Sequence, residues 1–312
     1  MALFSAFNKD VAIDLGTANS IVMYNDQVVF DEPSIVAYET ESKKVIAIGN
    51  KAQLMEGKTP PGVDTVRPLR EGVIADHEMA QLLIRELLLM TNIRRSVLPP
   101  SLRMVVCIPS GITKWEERAV IEAAEQAGAK ETRMIHEPMA AAIGSGIDIL
   151  QPTGHMVVDI GGGTAEIAVI SLGGIVCSTS VKIAGNVFNN NIVDYMSKQH
   201  NMKIGLPMAE NVKIAVGSAI SELDDSPEDF RTKGLDILTG LPKEVAINYK
   251  EVAHALDRSI GGIEQAILHT LANTPPMLAA DIYENGICLA GGGALLLNHE
   301  NINHFPYLKP IK

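Results

Sequence analysis

Val11-Ala-Ile-Asp14-Leu-Gly16-Thr17-Ala18-Asn19-Ser20 and Val157-Val-Asp159-Ile-Gly161-Gly162-Gly163-Thr164-Ala-Glu166 are near-copies of one another. Each is an apolar run that ends in Asp, passes through glycine and threonine, and continues into a second apolar run. The pattern predicts a strand, a tight turn and a second strand. Glycine lacks a Cβ, so its backbone reaches positive φ and approaches a ligand closely, and N–H groups in such a turn can wrap a phosphate. A third glycine cluster, Gly286-Ile-Cys-Leu-Ala-Gly291-Gly292-Gly293-Ala294, completes the set. Two matched turns from two halves of one chain predict a nucleotide held between duplicated domains.

The bulk numbers agree with a folded chain of that size. There are 312 residues, 46% hydrophobic and 20% charged, enough for two domains with separate cores. A net charge of −11 and the absence of a long basic run argue against nucleic acid as a partner. No apolar segment reaches the roughly 20 residues of a membrane helix. The opening Met1-Ala-Leu3-Phe4-Ser-Ala-Phe7 lacks the basic flank and cleavage pattern of a signal peptide. Cys107, Cys177 and Cys288 each lie in an apolar strand-like run and read as buried free thiols of a cytoplasmic protein.

Along the first half, VAIDL, SIVMY, SIVAY and KVIAI within residues 11–48 predict short strands separated by polar turns. Asp76 caps a helix carrying Ala80, Leu83, Ile84, Leu87 and Leu88 at helical spacing. Met104–Ile108 is wholly apolar and reads as a central strand. Thr113-Lys-Trp-Glu116 is a capping box opening a helix that ends at Gly128, and Glu137-Pro138 opens another. The second half predicts strands through 155–183, helices near 187–200 and 207–221, a polar stretch at 224–229 and a long helix at roughly 250–272. Pro275-Pro276 opens a further helix, and residues 286–290 are the last strand-like run. The result is an α/β chain of two domains, each with a smaller subdomain.

Asp14 and Asp159 occupy equivalent points at the ends of apolar strands. Carboxylates there could hold Mg²⁺ through water, since that ion takes oxygen ligands and keeps part of its hydration shell; each could equally cap its own turn. Glu137 opens a helix after a strand and is the candidate for positioning an attacking water, or it merely complements the helix dipole. Thr164 could orient the same water through its hydroxyl. Glu210 and Lys213 share one face of the helix opened by Pro207, within reach of a ribose or base, or paired as surface ions. Gly291, Gly292 and Gly293 would let backbone lie flat against an adenine.

Together these segments resemble the actin/heat-shock-protein-70/sugar-kinase superfamily, and within it the bacterial actin family MreB. The resemblance covers almost the whole chain through IDLGTANS, DEPSIVA, RPLREGVIAD, VCIPSGIT, EPMAAAIG, GHMVVDIGGGTAEIAVISLGGIV, TPPMLAADI and GICLAGGGALL. It implies an actin-like fold of two duplicated ribonuclease-H-like domains. The first would span 1–141 with a small subdomain at about 33–74, the second 142–312 with one at about 184–245, and the nucleotide would lie in the cleft between them. It implies that Asp14, Gly16, Thr17, Ala18 and Asn19 form the first phosphate loop and Asp159, Gly161, Gly162, Gly163 and Thr164 the second. Glu137 and Thr164 match the family's water-positioning pair, Glu210 and Lys213 its ribose and base contacts, and Gly291, Gly292, Gly293 and Ala294 its adenosine loop.

The implied activity is slow hydrolysis of ATP with Mg²⁺, coupled to polymerisation with copies of itself on the inner face of the cytoplasmic membrane. The resemblance also implies partnership with the cell-wall elongation machinery and control of cell shape. Membrane contact has residue-level support: Leu3, Phe4 and Phe7 cluster at the start, and Val97 and Leu98 belong to an apolar loop that carries Arg94 and Arg95. The chain departs from the family pattern at Ala184-Gly185-Asn186 and Asn189, where carboxylates are usual, at Ala165, at Ile214-Ala215, and after Leu297, where the family's helix, strand and returning helix read as missing or replaced. A small-molecule kinase of the same fold and a catalytically weak actin-like scaffold remain as alternatives.

Overall fold

A computed structural model describes residues 8–90, 101–296 and 308–310. The positions expected to touch a membrane, Leu3, Phe4, Phe7, Val97 and Leu98, lie outside the described residues. The chain divides into two compact units, 1–140 and 141–312.

The first unit is built on a five-stranded sheet. Strands β1 (Asn8–Leu15), β2 (Asn19–Tyr24) and β3 (Gln27–Pro33) form an antiparallel meander. A small three-stranded sheet follows, from β4 (Val36–Glu39), β5 (Val45–Ile48) and β6 (Val63–Val66), with helix α1 (Gly49–Gln53) between the last two. The two-residue strands β7 (Leu69–Arg70) and β8 (Val73–Ile74) make a hairpin, and α2 (His77–Met90) comes next. Strand β9 (Ser101–Ile108) then pairs parallel with β1, α3 (Lys114–Gln126) returns, and β10 (Ala129–His136) pairs parallel with β9. The sheet order is β10-β9-β1-β2-β3. Helix α4 (Glu137–Gly144) leads into the second unit.

The second unit repeats that plan. Strands β11 (His155–Ile160), β12 (Ala165–Ser171) and β13 (Gly174–Val181) are a second antiparallel meander. Helices α5 (Gly185–His200) and α6 (Leu206–Val216) flank the short β14 (Met202–Lys203), which joins the hairpin of β15 (Phe230–Asp236) and β16 (Pro242–Ile247) in a three-stranded sheet. The long α7 (Tyr249–Ala272) and α8 (Pro276–Asn285) precede β17 (Ile287–Ala290), which pairs parallel with β11. Last comes β18 (Leu308–Pro310), parallel to β17 with Ile287 opposite Leu308 and Leu289 opposite Pro310. The order β18-β17-β11-β12-β13 matches the first sheet strand for strand.

Each unit has its own core. In the first, Val11, Ile13, Met104 and Val106 from the sheet pack with Leu83, Ile84 and Leu87 of α2 and Val120 and Ala123 of α3. The apolar spacing read on α2 is the stripe it buries, and Asp76 Oδ1 accepts from Met79 N at 3.0 Å as its cap. In the second, every residue of β12 is buried, covered on both faces as a central strand requires. Ala165, where the family pattern has a second threonine, is among them.

The structure differs from the sequence reading at five points. Strand β3 had no prediction of its own, although Val28-Val-Phe30 carries it. The stretch between the polar residues 224–229 and α7, for which no element was predicted, is a hairpin. The helix predicted to run to 221 stops at Gly217, where a Cβ would meet Lys213 O at 2.2 Å and Leu296 Cδ2 at 2.5 Å. Residues 286–290 are not the last strand, because β18 follows; three residues ending in Pro carry too little β-branched character to signal it. The three cysteines are free and partly buried rather than fully so.

Candidate functional site

The site elements of the first unit gather at one end of its sheet. Strands β1, β9 and β10 are parallel, with Asp14 opposite Cys107 and Cys107 opposite Ile135. Asp14 and Glu137 therefore leave the carboxyl ends of two strands separated by one other, about 10 Å apart at the usual strand spacing. Ligands bind outside the carboxyl ends of parallel strands as a rule.

The turn between β1 and β2 is Gly16-Thr17-Ala18. A Cβ on Gly16 would meet Asn19 O at 2.6 Å, so only glycine fits there. Thr17 is buried, and its hydroxyl accepts from Gly72 N at 3.0 Å, tying the β7–β8 turn to the β1–β2 turn. Asn19 Nδ2 donates to Asp31 Oδ1 at 3.2 Å. Burial pushes the Asp14 carboxyl up to about 6. Glu137 is partly buried and engaged with neighbours. His136 Nδ1, beside it, is buried with no hydrogen-bond partner among the described residues.

The second unit presents the matching set. The turn between β11 and β12 closes through Gly161 N donating to Thr164 O at 3.0 Å. Asp159 precedes it at the carboxyl end of β11, opposite Ala290 of the parallel β17. That register brings the third glycine cluster to the same end of the sheet. Gly291 has φ +80°, and a Cβ on it would meet Asp159 Oδ1 and Ile160 O, each at 2.4 Å. A Cβ on Gly293 would meet Ile160 Cγ2 at 2.3 Å. Packing against the end of β11 therefore demands two of the three glycines. Gly292 has open space around its missing Cβ. Ala294 is buried in the short 3₁₀ turn that follows. Burial raises the Cys288 thiol against a lowering hydrogen bond with Ser145, and the Asp159 charge adds to the rise.

Glu210 and Lys213 are more than a surface pair. Lys213 Nζ donates to Glu210 Oε2 at 2.7 Å and reaches Gly185 O at 3.4 Å, and its side chain is only 11% exposed. Asn189 Nδ2 donates to the same Glu210 oxygen at 2.6 Å. An aspartate at 189 would set a second carboxylate against Glu210; the amide supplies a donor instead. Asn186 is exposed and opens α5 through its backbone, whereas Ile214 faces solvent, 73% exposed.

The donor chemistry fits Mg²⁺. Asp14 and Asp159 offer carboxylate oxygens only, and no group of three or more potential metal ligands occurs among the described residues. Ser34 and Gly72 were not singled out by sequence. The only signal for Ser34 is its place after Pro33, which cannot continue a strand ladder.

A family model for MreB/Mbl protein matches residues 8–304. The chain is 43% identical over 291 residues to the cell shape-determining protein Mbl of Bacillus subtilis (strain 168), covering 93% of this chain and 86% of that protein. It is 41% identical over 301 residues to the cell shape-determining protein MreB of Escherichia coli (strain K12), covering 95% and 86%. Among solved structures it is similar to MreB5 of Spiroplasma citri bound to AMPPNP, with a TM-score of 0.89, 38% identity, and 97% of this chain and 91% of that chain covered.

Proposed function

The chain belongs to the MreB/Mbl family, and on that footing we propose that it is an ATP-binding, filament-forming cytoskeletal protein that sets cell shape. It polymerises with copies of itself on the inner face of the cytoplasmic membrane and guides the cell-wall elongation machinery. The observation that carries the reading is the duplication. Both units end an apolar strand in Asp and follow it with a glycine turn. The relatives named for cell shape and the relative bound to AMPPNP, which carries the adenosine and three-phosphorus chain of ATP, support it.

In this proposal the amides of the two turns bind phosphate oxygens, and Mg²⁺ supplies charge neutralisation when bound. Asp14 and Asp159 would hold it, through water. Glu137 and Thr164 hold the attacking water in line with the γ-phosphate, where positioning and electrostatics supply most of the acceleration. Glu210 and Lys213 contact the ribose and base, and Gly291, Gly292, Gly293 and Ala294 take the adenosine. Asn186 and Asn189, standing where carboxylates are usual, favour a second reading as a catalytically weak scaffold.

Calorimetry with Mg-ATP, sedimentation with ATP in the presence and absence of lipid vesicles, and phosphate release test the proposal. We expect binding, sedimentation that rises with ATP, and release at least tenfold slower in Glu137→Ala. Equal release rates for wild type and variant would favour the scaffold. A chain that stays monomeric at high concentration with ATP and vesicles would falsify the filament.

A further inference from the structure

In each unit, the carbonyls of the glycine turn are tied back by whatever follows the third strand of the same sheet. In the second unit, the N–H groups of Gly185 and Asn186, at the start of α5, donate to Gly161 O at 3.1 Å and Gly162 O at 2.8 Å. In the first unit one residue does the equivalent work. Ser34 directly follows β3; its N–H donates to Ala18 O at 2.8 Å and its hydroxyl to Gly16 O at 2.6 Å.

Ser34 and Ser20 are both fully buried, with 2.8 Å between their hydroxyl oxygens. A serine hydroxyl has one proton. That of Ser34 goes to Gly16 O, so Ser20 is the donor in the serine pair. The chain of bonds therefore has one direction, from Ser20 to Ser34 to the loop carbonyl.

A trans peptide directs its C=O and N–H to opposite sides. Holding Gly16 O against Ser34 therefore turns Thr17 N–H to the other face of the turn. The same geometry in the second unit turns Gly162 N–H and Gly163 N–H away from α5. We infer that Ser34 is a positioning residue for phosphate binding: its hydroxyl fixes the Gly16–Thr17 peptide plane so that Thr17 N–H meets the phosphate chain of a nucleotide. This rests on the ATP reading above.

The test compares Ser34→Ala with Ser20→Ala in the full chain, by calorimetry with Mg-ATP and by thermal melting. Both variants lose the serine–serine bond, but only Ser34→Ala frees Gly16 O. We expect Ser34→Ala to bind Mg-ATP at least tenfold more weakly and Ser20→Ala to stay within twofold, with similar melting shifts in the two. Equal losses of affinity, or no loss in either, overturn the inference while leaving the ATP reading intact. A wild-type chain that does not bind Mg-ATP overturns both. Should Ser34→Ala not fold, wild-type amide exchange decides: Thr17 N–H must exchange at least tenfold more slowly once Mg-ATP is added, and an unchanged rate overturns the inference.

Discussion

Asp14 destabilises the metal-free protein and, in the reading proposed here, is retained for its ligand. Burial lifts its carboxyl to about 6, above the ordinary 3.8, because removing charge from water is unfavourable. The folded state therefore binds a proton more tightly than the unfolded chain. The contribution is fully present below the unfolded pKa and is lost as pH rises through the folded value. A shift of that size corresponds to at most about 3 kcal/mol. Asp14→Asn should raise the stability of the nucleotide-free protein at pH 7 by up to that amount, and the gain should vanish near pH 4. The same variant should lose Mg-ATP affinity. Urea titrations at both pH values and calorimetry check the pair of outcomes; a variant no more stable at pH 7 would show that Asp14 is relieved by a neighbour. Asp14 and the glycines could be read from sequence because their chemistry is local: a strand ending in Asp, then a residue without Cβ. Ser34 could not, since its partners Gly16 and Ser20 are brought to it only by strand pairing.

Elements were legible where their signals lie within a few residues. The box at Thr113 is one: Glu116 N donates to Thr113 Oγ1 at 3.3 Å and Thr113 N to Glu116 Oε2 at 2.7 Å. An equivalent box opens α7, with Glu251 N to Asn248 Oδ1 at 3.0 Å and Asn248 N to Glu251 Oε2 at 3.1 Å. Thr113→Ala and Asn248→Ala should each cost about 1 kcal/mol in denaturant unfolding. The β15–β16 hairpin was illegible for a different reason. Phe230-Arg-Thr-Lys-Gly-Leu-Asp236 has little β propensity, and its turn is held by Asp236, whose Oδ1 accepts from Leu238 N and Thr239 N, each at 2.9 Å. Those bonds and the ammonium of Lys243 hold the Asp236 carboxyl down to about 2. Tertiary pairing, and not propensity, makes these strands.

For the whole molecule, the duplicated plan was legible because the two turns repeat in sequence. The strand-for-strand match of the sheets was not, because β9 and β17 reach their partners through long crossovers. In the proposed function, each unit contributes to one ligand, so binding should stabilise the folded chain as a unit. Mg-ATP at about 100 times its Kd should add about 2.7 kcal/mol. A melting temperature that rises with Mg-ATP, and less with ATP in a chelator, is the expected result; identical curves would count against a shared nucleotide. The edge strand β18 carries one last consequence. It offers a neighbour three residues of ladder, and Pro310 has no amide hydrogen to give. Among the described residues, that edge of the second sheet therefore lacks one of the amide donors through which a strand of another copy would pair.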